Sequence, residues 1–66
     1  MYAVRVNLEN RTENIKFYSS WAARIMSEKW AKCYDVESVV VINDETGEIG
    51  YEFEKGVMTY AAHGEF

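Results

Sequence analysis

Val39-Val40-Val41-Ile42-Asn43-Asp44-Glu45-Thr46-Gly47-Glu48-Ile49-Gly50-Tyr51-Glu52-Phe53-Glu54 is the stretch on which the fold turns. It opens with four consecutive β-branched residues, which are stiff at χ1 and suit a pleated strand better than a helix. Asn43 and Asp44 readily start a turn, and Gly47 is free to take the positive φ that closes a short hairpin loop. The return strand, Glu48 to Glu54, alternates: Ile49, Tyr51 and Phe53 are expected on one side, and Glu48, Gly50, Glu52 and Glu54 on the other. The outgoing strand does not alternate. Val39 to Ile42 is apolar toward both faces, a pattern that normally belongs to a strand covered on both sides.

Working outward, Tyr2 to Leu8 has the period of a half-buried strand, with Tyr2, Val4, Val6 and Leu8 on one side and Ala3, Arg5 and Asn7 on the other. Glu9 to Asn14 reads as a polar turn. Ile15 to Tyr18 reads as a second short strand and completes an N-terminal hairpin. Ser19 or Ser20 can cap a helix expected over residues 20 to 34. At 100° per residue Ala22, Ile25, Met26, Trp30, Cys33 and Tyr34 form its apolar stripe, with Arg24, Ser27, Glu28, Ala31 and Lys32 opposite. Cys33 is accordingly expected to be a small buried hydrophobe. Lys55 and Gly56 mark another turn, Val57 to Ala61 a final strand, and Ala62 to Phe66 a tail. The expected fold is a single α+β domain over residues 1 to 66: a small antiparallel sheet of four to five strands, in the order β-β-α-β-β-β, with one amphipathic helix on one face.

One helix covers one face of a sheet. The other face is left with Val40 or Ile42 in the open, joined by some of Tyr18, Met58 and Tyr60, and soluble monomers seldom display such a contiguous patch. A 66-residue chain also has a small core, and its single cysteine rules out an internal disulfide as a supplement. These two facts make Tyr18, Val40, Ile42, Met58 and Tyr60 the expected surface of a homodimer.

Charge divides the chain at Asp35. Residues 1 to 34 carry six basic side chains against three acidic, or +3, and residues 35 to 66 carry one against eight, or −7. A division of this size can orient a partner. Asp44, Glu45, Glu48, Glu52 and Glu54 therefore form a candidate docking surface for a protein with a basic face, with Trp21 and Arg24, an aromatic beside a guanidinium, as a second candidate edge. The same carboxylates would repel nucleic acid, so the basic and aromatic set Arg5, Lys16 and Tyr18 is not expected to bind it.

Other classes find little in the residues. Paired carboxylates need a cleft to act as acid and base, and nothing here predicts one. Cys33 and His63 have no metal-ligand spacing, and no glycine pattern matches a phosphate loop, so neither cofactor nor metal is expected. At 48% hydrophobic and 15% aromatic the chain should fold, yet no apolar run reaches the length of a membrane span. With no leader pattern and one unpaired thiol, a cytoplasmic protein is expected. The reading is a non-catalytic interaction module acting as a homodimer, in the manner of a small acidic stoichiometric inhibitor of a host or partner protein, such as phages and mobile elements encode. The alternative is a small-ligand or nucleotide-sequestering protein with a pocket between subunits, lined by Tyr51, Tyr18 and the basic N-terminal residues.

Overall fold

The computed structural model describes residues 1–62. In chain order the elements are β1 (Tyr2–Leu8), β2 (Thr12–Phe17), α1 (Ser20–Ala31), β3 (Val36–Asn43), β4 (Ile49–Glu54) and β5 (Val57–Ala61). The five strands make one sheet in the order β2-β1-β3-β4-β5, and every neighbouring pair is antiparallel. This is the α+β fold expected from the sequence. Because β2 and β3 both run against β1, they are parallel to each other. Parallel strands need a long crossover, and α1 provides it.

The register sorts side chains into two faces. Across the helix side run the rows Ile15–Val4–Val41–Tyr51 and Glu13–Val6–Val39–Phe53–Met58. Val4, Val39 and Val41 have no exposure and Phe53 only 2%. Tyr2, Leu8, Ile15, Phe17, Trp30, Tyr51 and Met58 pack around this cluster.

The helix sits differently from its apolar stripe. Its buried residues are Ala23, Ser27 and Ala31, spaced four apart, so two residues assigned to the solvent side lie against the sheet. Small side chains on this seam let the helix backbone approach the strands, while Met26 and Trp30 flank it, half-buried. The Trp30 ring lies 6.0 Å from Phe17, within the range of a favourable aromatic pair. Ser27 is the one buried polar residue among the described residues, and its hydroxyl donates to Ala23 O one turn back at 2.6 Å. No buried side-chain polar atom among the described residues lacks a partner.

Ser19 is the N-cap, accepting from the Ala22 amide. The helix stops at Ala31 rather than 34 because the next amides reach back only three residues, Lys32 N to Lys29 O and Cys33 N to Trp30 O. The tightened turn delivers the chain to Val36. It also carries Cys33 and Tyr34 off the stripe, leaving both exposed and correcting the expectation that Cys33 is buried.

Two turns follow the expected chemistry. Gly47 adopts φ +75° in the β3–β4 loop, closed by Gly47 N donating to Asn43 O at 2.7 Å. Lys55 and Gly56 both have positive φ, the requirement of a two-residue type I′ hairpin between β4 and β5.

Candidate functional site

The face of the sheet away from α1 is built from three cross-strand rows. They are Lys16–Ala3–Ile42–Ile49, Asn14–Arg5–Val40–Glu52–Tyr60 and Thr12–Asn7–Ser38–Glu54–Val57. Among the described residues no element packs over them. Thr12 donates to Asn7 Oδ1 at 3.1 Å and Asn7 donates to Ser38 Oγ at 2.9 Å, which makes the third row a polar, hydrogen-bonded border. The other two rows hold an apolar centre. Val40 and Ile42 are half-buried, Ile49 is 39% exposed and Tyr60 is 47% exposed.

Ile49 belongs here because of a bulge. The register of β3 against β4 shifts between Val41 and Ile42, so Ile49 pairs with Ile42, and Gly50 absorbs the extra position. Strict alternation had put Ile49 with Tyr51 and Phe53. A second bulge, at Glu52/Phe53, separates two residues expected to share this surface: Tyr60 pairs with Glu52 on the bare face, whereas Met58 pairs with Phe53 under the helix. Tyr18 follows the end of β2 and is 88% exposed, outside the rows.

The charge division of the sequence reappears here as a gradient across the strands. β1 contributes Arg5 on one side of Val40, and β4 contributes Glu52 and Glu54 on the other. Neighbouring strands lie about 4.8 Å apart, so Arg5 and Glu52 are separated by about 10 Å at the backbone with Val40 between them. Neither forms an ion pair among the described residues.

The acidic loop is different. Asp44 pairs with Lys16, Glu45 lies 3.9 Å from the amino group of Met1, and Asp44 N donates to Met1 O at 3.0 Å. Part of its negative charge is thus met inside the protomer, and these contacts tie the β3–β4 loop to the start of β1. Glu48 remains exposed at the base of the loop.

The aromatic edge lies on the helix side. The Arg24 guanidinium stands 6.0 Å from the centre of the Trp21 ring and 5.7 Å from that of Tyr51, within the range of cation–π attraction to both. Trp21 is 67% exposed. Trp21 and Arg24 therefore do not share a surface with Glu52 and Glu54, which occupy the opposite side of the sheet. Tyr51 and Arg5 are likewise on opposite sides, so a ligand pocket joining them is not present within one protomer.

The grooves are shallow. One of about 420 Å³ lies between the C-terminal end of α1 and the first hairpin, lined by Leu8, Ile15, Trp30, Val36 and Cys33. The Cys33 Sγ is 3.9 Å from Lys29 O. No group of three or more His, Cys, Asp or Glu side chains capable of holding a metal ion occurs among the described residues, and His63 lies outside them. No described helix is long and apolar enough to cross a membrane. Comparison with protein-family models, with curated proteins and with solved structures returns no match.

Proposed function

We propose that this chain is a non-catalytic protein-interaction module that works as a homodimer, assembled through the bare face of its sheet. The observation that carries this reading is the row Arg5–Val40–Glu52–Tyr60, with Ile42 and Ile49 alongside: a half-exposed apolar strip held between a cation and carboxylates that form no ion pair among the described residues. Apolar residues in contiguous exposure favour association, and unpaired charges at their border favour a partner of matching charge pattern. The small protomer core adds to the drive, because association buries surface that 66 residues cannot cover alone. With the bare face engaged, Glu48 and the Trp21–Arg24 edge stay outside the contact, available to a second protein with a basic or aromatic-binding surface. In this reading inhibition or sequestration of another protein is what the dimer does.

Sedimentation equilibrium over micromolar concentrations tests the reading. The expected mass rises toward twice the 7.7 kDa of the chain. Ile42→Lys should return it to one chain while the far-ultraviolet circular dichroism spectrum stays unchanged. A wild-type protein of one-chain mass throughout removes the proposal.

A further inference from the structure

Resting on the dimer reading, the geometry points to one arrangement of the second copy: the two bare faces stack with their two-fold axis parallel to β3, and Arg5 of each protomer meets Glu52 of the other. β3 is the middle of five strands, with β1 and β2 on one side and β4 and β5 on the other. When two identical sheets meet face to face, the two-fold axis lies in the plane between them. Its direction decides which strands oppose.

An axis running across the strands sets β1 against the second copy's β1 and β4 against its β4. When that axis passes through the row of Arg5 and Glu52, Arg5 faces Arg5 and Glu52 faces Glu52, a juxtaposition of like charges that disfavours the pair. An axis along β3 sets β1 against β4 and β2 against β5. Because Arg5, Val40 and Glu52 occupy one row, this rotation brings each Arg5 level with a Glu52, twice per dimer, on either side of a central Val40–Val40 contact. It corresponds to the aligned class of sheet stacking, in which the twist of the sheets leaves strands about 30° apart.

Shape agrees with charge. In the next row the same axis places Ala3, the smallest side chain on the face, opposite Ile49, which projects with 39% exposure. At the outer strands it places Asn14 opposite Tyr60, an amide opposite a phenol. Lys16 does not compete for Glu52, because it is held by Asp44 at the end of its own protomer. A single rotation thus matches cation to anion, small to large, and hydrogen-bonding groups to each other. The sequence has +3 before Asp35 and −7 from Asp35 onward, and this arrangement gives that division a use: it encodes the orientation of the pair.

Charge reversal tests the arrangement. Arg5→Glu and Glu52→Arg should each weaken dimerisation by about tenfold or more, and the double variant R5E/E52R should restore it to within about threefold of wild type, the non-additivity of a direct contact. Dissociation constants would be read by sedimentation at low salt, with circular dichroism confirming the fold of each protein. Arg5→Gln, which removes attraction without creating repulsion, is the milder variant if R5E loses its fold, and it should weaken the dimer several-fold. Single reversals that leave association unchanged, or a double variant as weak as the two losses combined, overturn the arrangement. Either result would leave a dimer in place, whereas a wild-type protein that never exceeds one chain would remove the parent reading instead.

Discussion

Val39 and Val40 are neighbours in one strand and point to opposite sides of the same sheet, yet they live in different environments. Val39 and Val41 have no exposure beneath α1, while Val40 and Ile42 lie half-buried on a face that nothing among the described residues covers. The first face is finished within the chain: the helix and an aromatic border close over it, and Ser27, the one buried polar side chain among the described residues, is satisfied by its own helix. The second combines aliphatic residues with charges that form no ion pair among the described residues. The contrast teaches that β3 carries apolar residues toward two faces, one closed by α1 and one that the dimer proposal assigns to association.

Truncating a residue from each face should separate those purposes. Phe53→Ala removes a 2%-exposed ring from the covered face and should cost about 3 to 5 kcal/mol, comparable to the whole stability of a domain this small, so urea unfolding would find little folded protein. Ile49→Ala, four residues earlier in the same strand, should cost the protomer about 1 kcal/mol or less while weakening self-association. Equal losses from the two substitutions would break the comparison.

A finer version exchanges a methyl for a hydroxyl at adjacent positions. Val39→Thr buries a hydroxyl without a ready partner and should lower stability by about 1 to 3 kcal/mol. Val40→Thr, measured at concentrations where the protein is monomeric, should change it by about 0.5 kcal/mol or less and show its effect only on dimerisation.

Much of this division could be read from the residues themselves. Period-two alternation in Tyr2 to Leu8, the β-branched run from Val39 and the turn chemistry of Gly47 and Lys55-Gly56 are local signals, and they placed five strands and a helix in the right order. The unalternating β3 also signals an apolar second face, which no element among the described residues covers. What the residues did not disclose arises where tertiary geometry overrides local pattern. A helical stripe follows the large apolar side chains, but close packing on a sheet favours the small ones, and Ala23, Ser27 and Ala31 at four-residue spacing are the available signal. Bulges shift registers without leaving a mark in an alternating pattern, so alternation alone puts Ile49 on the wrong face and groups Met58 with Tyr60. The charge division was legible as a count. Only the pairing of Arg5 with Val40, and of Val40 with Glu52, turned it into a gradient across a surface.

The division between a face for folding and a face for association is tested most directly by an isotope-filtered nuclear Overhauser experiment on an equal mixture of labelled and unlabelled protein. Cross-peaks between chains should arise from the methyl groups of Val40, Ile42 and Ile49, and none from those of Val39 and Val41. Inter-chain contacts confined to the exposed edges of β2 or β5, or no inter-chain signal at millimolar concentration, would contradict the account.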